Sequence, residues 1–293
     1  MMKLAVAIAH ENAAPSAFVV WRGFRESVRK AAEFGYHGVE LALRTAADIN
    51  PDELAGLLSK WKLEVGSIST GQVFSGSGLY FTHQDQAVRE KAVDTFKNLI
   101  LLAKDFGRMV NIGRARGFVA PNQSREAAEK LFIDTAERIC EIAAQHGVTM
   151  VLEPVNRYET NFINKLDEGS ELVSKLKYGN MGLMPDVFHM NIEEAGLGAS
   201  LRRNAPLIRY IHFADSNRLA PGQGHLNFDE VFDSLKTIGF NGWAAVEILP
   251  EPDPDTAAEQ AARFILPRIA KYNEAQDVPY FQKVEGADLN CRG

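Results

Sequence analysis

The chain has 293 residues, 24% of them charged and 46% hydrophobic, a balance that excludes a disordered polymer and allows one large domain or two small ones. With 32 basic and 38 acidic residues the formal charge is −6, which disfavours non-specific binding to nucleic acid or to anionic membranes. No apolar run is long enough to span a bilayer, the start MMKLAVAIAH lacks a signal-peptide pattern, and the two cysteines, Cys140 and Cys291, make neither a disulfide framework nor a zinc knuckle, so a cytoplasmic protein without membrane or nucleic-acid partners is expected.

Short β-rich runs alternate with longer helix-periodic ones. The first strand is read over Lys3–Ala9, followed by a helix over Phe24–Phe34 that Gly35 closes. Strand Gly38–Leu43, a helix over Asp52–Trp61 with Pro51 at its start, and strand Glu64–Thr70 come next. In the helix read over Gln86–Phe106, Val88, Ala92, Val93, Phe96, Leu99, Ile100 and Ala103 recur at three- and four-residue steps. Strand RMVNIG precedes a helix that Ser124 caps and Gly147 terminates. Cys140 lies on its apolar face and reads as a small buried hydrophobe. Strand TMVLEP then leads to a helix near Asp167–Lys177, and MGLMPD to a short one around Leu197–Arg203. LIRYIHF leads to Phe228–Thr237, and WAAVEI to Asp255–Lys271.

Parallel strands need crossover connections, usually helices, and continuously apolar strands such as LAVAIA expect both faces to be covered. Eight such units close into a (β/α)8 TIM barrel. The rival, an open doubly wound sheet, would place a glycine-rich turn after its first strand, where AIAHENAAPS stands instead. One catalytic barrel domain over 1–271 is expected, with a C-terminal arm or tail over 272–293 in which Tyr280 and Phe281 favour packing.

Barrel chemistry sits at the carboxyl ends of the strands. Glu153, Asp186, His212 and Glu247 end the last four strands, each about one strand–helix unit after the one before. Strand ends are exposed and often polar, but four consecutive units ending on metal-ligand side chains point to one divalent ion at the rim. Three carboxylates and an imidazole suit Mn²⁺, Mg²⁺ or Co²⁺, with Zn²⁺ less natural. Such an ion can polarise a carbonyl, and two glutamates on separate strands can flank a small substrate.

Other rim residues are candidates for substrate contact. His189 follows Asp186 by one short step and can donate to a substrate oxygen; Arg218 offers a planar fork on the loop after the seventh strand. Glu159 is a further rim carboxylate, and Arg114 and Arg116 form a small basic cluster that can neutralise an acidic substrate group or simply stand in solvent. The segment TGQVFSGSGLYFTHQD mixes glycines with Phe74, Tyr80 and Phe81 and reads as a mobile aromatic lid or, alternatively, as a static flap. His10 and His225 are weak rim candidates, while His37 and His146 sit beside helix ends. Phosphate-loop, nucleophile-elbow, zinc-helix and C-x-x-C patterns are missing from the sequence.

LEPVNRYETNFIN, MPDVFHMNIEE, HFADSNRLAPGQGHLNF and WAAVEILP resemble the xylose-isomerase-like barrel superfamily, and within it the ketose 3-epimerases, the group of the D-tagatose and D-psicose 3-epimerases. STGQVFSGSGLYFTH, NIGRARG and NRYETNFIN look closer still to 5-keto-L-gluconate epimerases. The resemblance implies one Mn²⁺-like ion on Glu153, Asp186, His212 and Glu247. It implies that Glu153 and Glu247 exchange the C3 proton on opposite faces, through an enediolate, and that Glu159, His189 and Arg218 grip substrate oxygens. It also implies a small sugar or sugar-acid substrate and a homo-oligomer, dimer or tetramer. Val187, where many ketose epimerases carry threonine, and the loop ILPEPDPD depart from the pattern. A hydroxypyruvate-isomerase-like aldose–ketose isomerase is the nearest alternative. A metal-dependent abasic-site endonuclease and a non-catalytic sugar-binding protein are more distant.

Overall fold

The computed structural model describes residues 1–15 and 17–276. Its parallel strands are β1 (Lys3–Ala9), β2 (Gly38–Ala42), β3 (Glu64–Ser69), β4 (Met109–Ile112), β5 (Thr149–Leu152), β6 (Met181–Leu183), β7 (Tyr210–Phe213) and β8 (Trp243–Val246). They neighbour one another in the order β6-β5-β4-β3-β2-β1-β8-β7, with a two-residue strand, Trp21–Arg22, added beside β1. Bridges Leu183–Ile208 and Asp186–His212 join the two ends of that path, so the ring closes through two of the expected ligand residues. Arg209 N–H donates to the Leu183 carbonyl (3.0 Å) and His212 N–H to that of Pro185 (2.9 Å) along this seam. The (β/α)8 architecture is thus the one that the alternating pattern predicts.

Alternation within the strands sorts the core into two layers. Leu4, Val6 and Ile8 of β1 join the large cluster between strands and helices. Ala5 packs inside the ring with Val151, Met184, Tyr210 and Ala245, and Ala7 and Ala9 pack with Val19 and Ala42. Small inward residues on β1 and β2 leave room near the rim for the larger side chains of β5 to β8. The β2–β3 register shifts between Val39 and Glu40, which pairs Glu40 with Ser67. At Gly38 a Cβ would lie 2.3 Å from the Glu64 carbonyl oxygen, so only glycine permits this approach of β2 to β3.

The outer helices are α1 (Phe24–Glu33), α2 (Pro51–Trp61), α3 (Gly71–Ser77), α4 (Gln86–Ala103), α5 (Arg125–Gln145), α6 (Leu166–Ser174), α7 (Val187–Glu193), α8 (Leu197–Arg203), α9 (Phe228–Thr237) and α10 (Pro254–Gln276). Side-chain oxygens cap several, Asn50 on α2, Asp85 on α4, Ser124 on α5 and Asn227 on α9. Cys140 is fully buried on α5, and burial pushes its thiol up to about 12. Among the described residues no helix is long and apolar enough to cross a membrane.

Two expectations change. The last helix does not end at Lys271 but continues to Gln276. Tyr272 is buried there with its hydroxyl donating to the Phe240 and Leu235 carbonyls, and Asn273 exchanges two hydrogen bonds with the backbone of Met2. Those long-range bonds hold the extra turn against the bottom of the barrel. The rest of the expected arm, 277–293 with Tyr280 and Phe281, lies outside the described residues. In the glycine-rich segment after β3 one expected cover aromatic is core instead, since α3 leads to a fully buried Phe81 that packs on Phe96 and Phe132. Phe81 N–H donates to the Ala115 carbonyl, and the Thr82 hydroxyl to that of Phe118.

Candidate metal centre and cavity

The barrel brings its rim residues together from four consecutive strands. Glu153 follows β5, Asp186 caps α7 by accepting from Phe188 N–H, His212 lies within β7, and Glu247 follows β8. One donor atom from each lies within 4.8 Å of the donors of the other three. His212 Nδ1 stands 3.4 Å from Glu153 Oε1, 3.4 Å from Glu247 Oε2 and 3.8 Å from Asp186 Oδ2.

Protonation follows from the partners. Nε2 of His212 donates to Glu40 Oε2 (3.0 Å), a carboxylate oxygen that can only accept, which turns Nδ1 toward the rim carboxylates; despite burial, the charges of Glu40 and Glu247 hold the imidazole well above its ordinary value, so Nδ1 carries a proton there unless a cation takes its place. That buried Nδ1 has no hydrogen-bond partner. An imidazole nitrogen and three carboxylates converging in a buried space fit a cation, and the oxygen-rich donor set fits a hard divalent one. These four residues can therefore hold a metal ion.

Two further polar residues brace this centre. Glu40 is fully buried and also accepts from the Ser67 hydroxyl (2.7 Å). Asn111 donates to Glu153 Oε2 (3.1 Å), while its own Oδ1 accepts from Thr70 N–H. Sequence reasoning passed over both as strand residues. Their signal was a polar side chain in the middle of GVELAL and MVNI, strands otherwise buried on both faces.

The charges respond to this crowding. Burial pushes the Glu153 carboxyl up. Burial would do the same to Asp186, but the Arg218 guanidinium together with His189 and His212 outweighs it and holds the group well below the usual range. Arg218 is buried and donates to Asp186 Oδ2 (2.5 Å) and to Glu247 Oε2. Its guanidinium lies between the rings of Phe18 and Phe188, 4.6 and 4.8 Å from their centroids.

At the four candidate ligands lies a cavity lined by Arg114, Glu159, His189, Arg218 and the two glutamates, and by Phe18, Ser69 and Gln72. His189 Nδ1 accepts from Asn156 Nδ2 (2.8 Å), so its proton is on Nε2, 3.9 Å from Glu159 Oε1 and from Asp186 Oδ2. Burial pushes His189 down to about 3, so it is a neutral donor. Arg114 Nε has no hydrogen-bond partner and lies 3.7 Å from Glu159 Oε2, with its guanidinium 4.9 Å from the Phe74 ring.

Arg116 corrects the sequence reading. It is fully buried and donates to the carbonyls of Phe162, Gly113, Glu153 and Ile163. Its fork fastens the β4 loop to the β5 loop, so it is not among the cavity-lining residues. His10 and His225 are likewise absent from the cavity lining.

A closed parallel barrel with a convergent ligand set at the carboxyl ends of its strands defines the class. Residues 28–268 match the family model of the xylose isomerase-like TIM barrel, and the chain belongs to that family. Among its relatives, an L-ribulose 3-epimerase from Mesorhizobium japonicum is 30% identical over 213 residues, 71% of this chain and 69% of that one. A D-psicose 3-epimerase from Ruminiclostridium cellulolyticum is 33% identical over 115 residues, 39% of either chain. The solved structure of an L-ribulose 3-epimerase superposes with a TM-score of 0.80 at 24% identity, over the full length of both chains, a likeness of fold.

Proposed function

We propose that this protein is a divalent-metal-dependent sugar epimerase that inverts C3 of a ketose or keto-uronate. The observation that carries the reading is the meeting of Glu153 and Glu247, from opposite ends of the β5–β8 arc, at one point in a cavity that also holds His189 and Arg218. The names of the relatives, L-ribulose and D-psicose 3-epimerases, support the same reaction class.

Glu153, Asp186, His212 and Glu247 would hold the ion, with Mn²⁺ first and Mg²⁺, Co²⁺ or Zn²⁺ behind it. When bound, it supplies Lewis-acid polarisation of the ketone. One glutamate takes the C3 proton, leaving an enediolate, and the other returns a proton to the opposite face. His189, neutral and with its proton on Nε2, donates to a substrate oxygen. Arg218 donates to the oxygens that carry developing charge, and Glu159 accepts from a substrate hydroxyl. Arg114 is the cationic group that remains for a substrate carboxylate once Arg116 is committed to backbone, and it supports a keto-uronate of the 5-keto-L-gluconate/D-tagaturonate type.

The test is a panel of ketoses and keto-uronates incubated with Mn²⁺-loaded protein in D2O and followed by NMR. The expected result is the C3 epimer carrying one solvent deuteron at C3. An aldehyde product would replace the reading with aldose–ketose isomerisation. Sugars bound but recovered unchanged would make the protein a binding protein.

A further inference from the structure

The β7–α9 loop, HFADSNRLAPGQGH, contains one buried acid that the proposed chemistry leaves without a role. Asp215 is 1% exposed. Its carboxylate accepts from the backbone N–H groups of Ser216 (2.7 Å), Gly222 (2.7 Å) and Leu226 (3.1 Å). Its own backbone closes the turn inside these bonds, since Asp215 N–H donates to the Leu219 carbonyl and Arg218 N–H to the Asp215 carbonyl, both at 2.9 Å. One carboxylate therefore gathers both limbs of the loop through charge-assisted bonds.

Arg218 sits at the tip of that turn. Its backbone is left-handed, with φ 63°, a conformation that costs a non-glycine residue and persists only where the surroundings impose it. Its carbonyl accepts from Leu249 N–H (2.9 Å), two residues past Glu247, while its guanidinium reaches down to Asp186 and Glu247. The glycines of APGQGH fit the same arrangement. A Cβ at Gly224 would lie 2.2 Å from Asp215 Oδ1, and Gly222, with φ 91°, lets the chain lie against the Phe264 ring. Burial alone would raise the Asp215 carboxyl, but the backbone donors hold it below its ordinary value, so it stays ionised at neutral pH.

We infer that Asp215 is a positioning residue for Arg218, folding the β7–α9 loop into the shape that sets the Arg218 backbone left-handed and its guanidinium against Asp186 and Glu247. The role assigned to Arg218 in turnover rests on the proposed function; its placement by Asp215 does not.

Two readouts separate these. The first is the Arg218 Nε–H resonance in ¹⁵N-labelled protein, assigned by its loss in Arg218→Lys. In the wild type it should exchange slowly, as for a guanidinium buried between two rings. In Asp215→Ala and Gly224→Ala, checked for folding by near-UV circular dichroism, it should shift and exchange at least tenfold faster. Asp215→Asn, which keeps an acceptor oxygen, should fall between and is read alone if the alanine variant does not fold. An unmoved, protected signal in a folded Asp215 variant overturns the inference. The second readout is a double-mutant cycle on kcat/KM with any sugar that the wild type epimerises. Asp215→Asn should lower kcat/KM by 10–100-fold in the wild type and by less than 2-fold in an Arg218→Gln background. An equal loss in both backgrounds means that Asp215 does not act through Arg218 and overturns the inference. If no sugar is epimerised, the proposed function fails while the resonance still decides the placement.

Discussion

His212 presents Nδ1 to three carboxylates because Glu40 accepts a hydrogen bond from its Nε2–H. Carboxylate–histidine pairs of this kind fix the ring and raise its basicity as a ligand. Glu40→Ala should therefore weaken Mn²⁺ binding by about 10–100-fold in a calorimetric titration. Glu40→Gln, which keeps an acceptor oxygen, should weaken it less, and an unchanged affinity in the alanine variant would remove Glu40 from the centre. Glu193 works from the end of α7. It accepts from Arg157 N–H, Nε and Nη2, and so holds the turn that carries Asn156 and Glu159. Burial raises the Glu193 carboxyl, but the Arg157 bonds outweigh it and leave the group below its ordinary value. A carboxyl depressed on folding contributes its full stability above the unfolded value, about 4.3, and loses it as pH falls through the folded one. Glu193→Gln should thus cost about 1 kcal/mol at pH 7, the modest worth of a pair whose arginine stands in water. Urea unfolding across pH should show that gap closing below about pH 4. A gap that persists at pH 2 would mean that the amide is simply a poorer fit.

Elements were legible where they were long and periodic, or where a cap marked them. The predicted helices over Leu197–Arg203 and Phe228–Thr237 coincide with α8 and α9, and Ser124 caps α5 as expected. The seven-residue rim helices α3 and α7 were missed because the glycine-rich segment was read as a lid or flap and Asp186 as a strand end rather than as the cap of α7. The convergence of the four candidate ligands was visible because the barrel repeat spaces them through the chain. Arg116 was misread because its partners Phe162 and Ile163 lie far along the chain, and a buried arginine and a solvated one look alike in an acidic sequence. The β2–β3 register shift was invisible for a similar reason, since it skips Gly66, whose neighbours Tyr210 and Trp243 lie far along the chain, and so was the close contact of Gly38 with Glu64 across the sheet. That contact gives a prediction at this scale. Gly38→Ala forces a Cβ against a backbone oxygen that cannot rotate away, so β2 must move off β3. Overpacking of this kind costs about 1–3 kcal/mol, and the shift of Glu40 should also weaken Mn²⁺ binding. Gly56→Ala on α2, where a Cβ meets nothing, is the control and should leave both unchanged or raise stability slightly.

For the whole molecule, the four donors come from strands that span the seam where the ring closes. Asp186 and His212 are themselves a bridge of that seam, and Glu153 and Glu247 stand to either side of it. A cation bound there joins β5, β6, β7 and β8 at once, whereas in the unfolded chain the same side chains are far apart in sequence. Binding confined to the folded state adds RT ln(1 + [L]/Kd), about 2.7 kcal/mol at a hundredfold excess over Kd. At the few degrees per kcal/mol typical of large domains, chelator-treated protein should melt about 5 °C below protein saturated with Mn²⁺. The gain should grow with the logarithm of Mn²⁺ concentration and be lost in His212→Ala. It should survive in Glu159→Gln, which alters the cavity wall and leaves the four donors intact. A stabilisation that persists without His212 would place the ion elsewhere on this acidic surface, and the seam would then be closed by its two backbone bridges and the Arg218 pairs alone.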